Sequence, residues 1–119
     1  MNWYLAKIVF RIICGDGDHV AQFDEQLRLI QASHIREAFT KGQQMGMCEE
    51  ETFYNREQQL VRWQFINVSE LYQLSDLIDG AELYSRIEEK ENAASYIYIV
   101  NKKAELIGAA EPALSLKPA

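Results

Sequence analysis

Two alternating stretches followed by a helical stripe, written twice, organise the hydrophobic positions of this chain. The first copy runs from Trp3 to about Cys48 and the second from about Leu60 to Ile107. Over residues 3–14 the even positions Tyr4, Ala6, Ile8, Phe10, Ile12 and Cys14 are apolar. The odd positions Trp3, Leu5, Lys7, Val9, Arg11 and Ile13 are mixed. Successive side chains point to opposite faces of a strand, so this pattern predicts an interior strand with a core face and a partly solvated face. Gly15-Asp16-Gly17-Asp18-His19 reads as a turn. Residues 23–32 come next as a second strand, with Phe23, Leu27 and Leu29 on one face. Ser33 suits a helix N-cap, and behind it Ile35, Ala38, Phe39, Gly42 and Gly46 recur at helical spacing. The small residues in that stripe let a helix lie close to a sheet. The helix should stop near residues 46–48, because Glu49-Glu50-Glu51 opposes the negative end of its dipole.

The second half reads as a short strand at residues 52–54, then a strand over 60–68. In the latter, Val61, Trp63 and Phe65 face one way and Arg62 and Gln64 the other. Residues 69–78 are irregular or a short helical turn, Asp79-Gly80 is a turn, and 81–88 form a further strand. Asn92 caps a second helix whose stripe is Ala93, Ile97, Val100, Ala104 and Ile107, although Tyr96-Ile97-Tyr98-Ile99 also fits a strand. Gly108 suits the stop. The predicted architecture is α+β: an antiparallel sheet of four to five strands with two helices on one face. It forms a single domain over residues 1–108, and the proline-containing residues 109–119 form a flexible C-terminal tail.

Composition narrows the partners. The 119 residues carry a net charge of −6, which disfavours nucleic acid and anionic membrane surfaces, since both attract basic proteins. Two cysteines, Cys14 and Cys48, are too few for a disulfide framework. No leader pattern and no long apolar run is visible, so the expected location is cytoplasmic, with reduced thiols.

Three stretches are familiar together: Asn2-Trp3-Tyr4-Leu5-Ala6-Lys7, Phe23-Asp24-Glu25-Gln26 and Asp79-Gly80-Ala81-Glu82-Leu83-Tyr84-Ser85. They resemble an uncharacterised bacterial family, domain of unknown function 4288, from Met1 to about Ile107. The resemblance implies a small intracellular bacterial domain. It carries no assigned activity and so transfers no catalytic residues.

Candidate chemistry is sparse. Asp16, Asp18 and His19, with Asp24 and Glu25 close in sequence, could ligate a hard cation. A turn built from glycine and aspartate accounts for the same residues without a metal. Cys14, Cys48, His19 and His34 lack zinc-finger spacing. There is no nucleophile elbow, phosphate-binding loop or dinucleotide fingerprint, so no catalytic or cofactor-binding residue is assigned. The sheet's second face is the better lead. It is expected to gather Lys7, Arg11, Arg28, Arg62 and Arg86 with Trp3, Leu5, Val9 and Tyr84, and mixed arginine, aromatic and aliphatic side chains suit an interface. Cross-strand pairing with Asp24, Glu82 and Glu88 would neutralise it. The expectation is a non-enzymatic, self-associating module, a homodimer or the binder of a protein partner. The alternatives are a small-molecule or metal-ion binding domain, using the Asp16–His19 loop or a cleft beside Trp63 and Tyr72, and an immunity or adaptor protein for a basic partner.

Overall fold

A computed structural model describes residues 1–110 of the chain. The elements run β1 (Asn2–Cys14), β2 (Gln22–Ala32), α1 (Ile35–Cys48), β3 (Glu51–Tyr54), β4 (Leu60–Leu74) and α2 (Ala93–Ala109). The order is thus ββαββα, and the class is α+β. The chain divides into two compact units, Met1–Ser85 and Arg86–Ala119. Of the expected tail, residues 111–119 lie outside the described residues, and Ala109 closes α2.

The first unit is a four-stranded antiparallel sheet in the order β2-β1-β4-β3, with β1 inside as its double-faced pattern predicts. The even residues Tyr4, Ala6, Ile8 and Phe10 are buried with Ile30, Ala32, Val68 and Ala38 in one core beneath α1. Alternation hides the true length of β4. Its pairing with β1 slips by one residue at Ile66 and again at Ser69, so the inward positions become Val61, Trp63, Phe65, Val68 and Leu71. Each extra residue inverts the facing of the residues beyond it. Residues 69–74, expected to be irregular, therefore complete a strand of 15 residues.

The opposite correction applies to residues 81–88. They alternate, yet β1 is already paired on both sides by β2 and β4, and these residues form no strand. The turn at Asp79-Gly80 is present. Gly80 has φ 84°, and the Ala81 N–H donates to Ile78 O.

Helix α1 buries Ala38, Gly42 and Gly46, one residue per turn along a single stripe. A Cβ on Gly42 would stand 3.1 Å from Val68 Cγ2 and 3.2 Å from Ile30 Cδ1, and one on Gly46 would fall within the Phe65 ring. These two glycines set the helix-to-sheet distance.

The cap of α1 lies one residue later than expected. His34 is the N-cap, its Nδ1 accepting from the Glu37 N–H at 3.2 Å. Ser33 sits outside it and donates its N–H and Oγ–H to the Glu37 carboxylate at 3.1 and 2.9 Å. The backbone bond first, then the hydroxyl bond, holds the Glu37 carboxyl below its ordinary 4.5. A group depressed in this way stabilises the fold fully above its unfolded pKa, and the contribution is lost as pH falls through the folded value. The thermal midpoint of the wild type is therefore expected to fall more steeply below pH 4.5 than that of Glu37→Gln. Parallel acid profiles for the two proteins would contradict this assignment.

In the second unit Asn92 caps α2 as predicted, its Oδ1 accepting from the Ser95 N–H at 3.0 Å. Tyr96-Ile97-Tyr98-Ile99 is helical. Within this unit no residue of α2 is buried.

Candidate functional surfaces

The face of the sheet away from α1 carries most of the expected interface set. Cross-strand partners share a face, so Trp3, Leu5, Lys7, Val9 and Arg11, with Ile13 on the same face of β1, align with Gln31, Leu29, Leu27, Glu25 and Phe23 of β2. On the other side they align with Arg62, Gln64, Glu70, Tyr72 and Leu74 of β4. Tyr84 joins this face from the irregular segment. Its ring meets Tyr72 edge-on at 5.7 Å, and Lys7 Nζ lies 5.9 Å from its centre. Leu5 and Ile13 are buried here, while Trp3, Val9 and Arg11 are half-buried.

Two members of the set lie elsewhere. Arg28 pairs with Ala6 across the ladder and so shares the α1 face, where it meets Glu49 at 2.8 Å. Arg86 begins the second unit rather than occupying a strand, and pairs with Glu88. The basic face thus shrinks to Lys7, Arg11 and Arg62.

Of these three, Lys7 is ion-paired. Lys7 Nζ lies 2.7 Å from Glu70 and 3.8 Å from Glu25, and the hydrogen bond to Glu70 raises its pKa above the ordinary 10.5. Glu70 also accepts from the Tyr72 hydroxyl, which pushes that group above its ordinary 10.0. The neutralising partners are Glu25 and Glu70, whereas Asp24 pairs with Phe10 and faces α1. Uncovered on this face are apolar side chains, Phe23, Leu27 and Leu29 of β2, each about half exposed, beside the exposed Glu25, Gln31, Arg62 and Gln64.

The loop at residues 15–19 is built as a turn. Gly15 and Gly17 take the positive φ values of 59° and 84°. Asp16 Oδ1 accepts from the Asp18 N–H at 3.0 Å. His19 Nε2 accepts from the Cys14 N–H at 3.0 Å, which leaves Nδ1–H to donate to Val20 O at 2.8 Å. The side chains of Asp16 and His19 thus have local structural work, and among the described residues no three acidic, histidine or cysteine side chains converge on a metal position.

A cleft joining Trp63 to Tyr72 does not form, because Trp63 aligns with Ile12 and Tyr72 with Leu5, on opposite faces. Trp63 instead lines an open hollow of about 500 Å³ on the α1 side, with Phe10, Phe53, Asp24, Glu49 and Glu51. Sequence reasoning missed this grouping. Its signal was an acidic and an aromatic residue, Asp24 and Trp63, both at inward positions of strands separated by β1.

The second unit carries its own exposed apolar surface, on α2. Ile97, Ile99, Val100, Leu106 and Ile107 are all between 46% and 71% exposed. Among the described residues, no helix is long and apolar enough to cross a membrane.

Comparison with known proteins places only the first unit. No curated protein and no solved structure matches the chain. A family model described as a domain of unknown function, DUF4288, matches residues 3–85. That span coincides with the sheet unit and leaves α2 outside it. Covering well over half of the 119 residues, the match carries the expected resemblance: the chain belongs to the DUF4288 family.

Proposed function

We propose that this protein is a non-enzymatic self-associating module, in which α2 docks against the same helix of a second copy. The observation that carries this reading is a helix of 17 residues with no residue buried, although most of its circumference is apolar. A helix apolar over so wide an arc is stable in water only when something covers it. At 1.5 Å per residue α2 is roughly 25 Å long, enough for a continuous seam between two copies.

Charge selects the second copy and its direction. The approach to α2 carries Glu88, Glu89 and Glu91 against Arg86 and Lys90, a net negative charge, whereas its C-terminal half carries Lys102 and Lys103 against Glu105, a net positive one. An antiparallel two-fold pair sets the acidic end of one copy beside the basic half of the other, and each contact occurs twice. A parallel pair would set like against like.

Light scattering on a series of variants tests the docking surface. The double variant Ile97→Glu, Val100→Glu is expected to be monomeric, while Lys102→Ala and Leu27→Lys retain the dimer. All of these residues are exposed, Lys102 included although it lies 3.5 Å from Glu105, so the fold should survive each change. A dimer that breaks with Leu27→Lys but withstands the double variant would place the contact on β2 and overturn the reading of α2.

A further inference from the structure

The hollow beside the C-terminal end of α1 belongs to the first unit and is independent of the reading of α2. Its walls are of two kinds. Phe53 stacks on Trp63 with centroids 6.3 Å apart and planes 24° from parallel, and the buried Phe10 completes the aromatic lining. Asp24, Glu49, Glu51 and the neutral Gln26 supply the polar lining.

The carboxylates are unequally satisfied. Glu49 is matched by Arg28 at 2.8 Å. Asp24 Oδ2 accepts from Gln26 Nε2 at 2.6 Å and from Trp63 Nε1 at 3.2 Å. Both donors are neutral, so they orient the carboxylate without cancelling its charge, and they fix the indole at the same time. Among the described residues, Glu51 has no ion pair or side-chain hydrogen bond. Two negative charges therefore stand uncompensated against an aromatic wall.

That combination selects its ligand by exclusion. An anion would be repelled. A neutral apolar molecule would fill the hollow but desolvate the carboxylates without pairing them, which is costly. A hard metal ion needs several convergent oxygens, which are not found here, and aromatic rings give it no ligand. An alkylated ammonium uses both walls: its diffuse charge is drawn to carboxylates and to ring faces, and its methyl groups pack on the rings. The volume lies within the range of small-molecule sites, about 300–1,000 Å³. We propose that this hollow binds an alkylammonium group.

The test uses Trp63 as its own reporter. The chain has two tryptophans, so a Trp3→Phe background leaves Trp63 as the only indole. Choline, tetramethylammonium and the uncharged choline isostere 3,3-dimethylbutan-1-ol are titrated at constant ionic strength. Choline and tetramethylammonium are expected to produce a saturable change in Trp63 fluorescence, and the isostere none. Glu51→Gln, a change at an exposed position, should weaken choline at least tenfold. A trimethyllysine amide run in parallel distinguishes the source: tighter binding than choline indicates a modified protein side chain, and equal or weaker binding a small molecule. No saturable change with either cation, or an equal response to the isostere, would overturn the proposal.

Discussion

Replacing Phe10 by alanine is expected to remove about 3 kcal/mol of stability, near the low end of the 3–5 kcal/mol typical of a buried phenylalanine. The ring is 1% exposed and meets Phe65 edge-on at 5.9 Å. It joins β1 to the residues beneath α1, so its loss removes transfer energy and leaves a cavity at the centre of the core. The low end applies because Phe10 also floors the open hollow, and water entering from that side relieves part of the cavity cost. Small domains are stable by only about 5–15 kcal/mol, so the variant should unfold at a much lower denaturant concentration with an unchanged slope. A loss below about 1 kcal/mol would mean that the ring is not packed as described.

Gly46→Ala is expected to destabilise the sheet unit by roughly 1–3 kcal/mol, the usual cost of overpacking a core. The sign is informative, because the same change in an exposed helix interior gains about 0.5–1 kcal/mol. At Gly46 the added methyl falls within the Phe65 ring, and Phe65 cannot retreat freely because Phe10 stands against it. Denaturant melts of Gly46→Ala, Phe65→Leu and the double variant test this reading. The double variant should lose less than the sum of the two single changes, since a smaller side chain at 65 makes room for the methyl. Gly108→Ala in α2, where nothing lies within 4 Å of the added Cβ, is the control and should show no loss. Additive costs at 46 and 65 would contradict the close contact.

The parts of this fold visible in the sequence are those in which one element's own pattern is sufficient. The even face of β1, the glycine turn after Cys14, the small-residue stripe of α1 and the Asn92 cap all rest on local periodicity or local hydrogen bonding. What stayed hidden depends on pairing. The extra residues Ile66 and Ser69 invert the alternation of β4, and nothing in β4 alone marks them. A basic side chain suits solvent, which points Arg28 to the far face. The register opposite Ala6 places it instead on the α1 side, where Glu49 receives its charge. Residues 81–88 have the alternation of a strand but no partner strand, and their contribution is Tyr84 laid over Lys7 and Tyr72.

The candidate surfaces divide in the same way. Trp3, Leu5, Lys7, Val9, Arg11 and Arg62 do share one face, as alternation predicts. The expected positive patch nevertheless shrinks, because Glu70 and Glu25 enter from the two neighbouring strands and only the pairing register reveals that they meet Lys7. The hollow draws on all four strands, Asp24 from β2, Phe10 from β1, Trp63 from β4 and Phe53 from β3, so no single stretch of sequence announces it. The amphipathic stripe of α2 is legible, but a stripe says only that a partner is required.

The central claim is that α2 brings two copies of this chain together, and the molar mass of the wild-type protein in solution tests it most directly. Light scattering over a dilution series is predicted to return twice the 13.8 kDa of one chain at high concentration, with a fall toward a single chain on dilution. A mass of one chain at every concentration would contradict the claim.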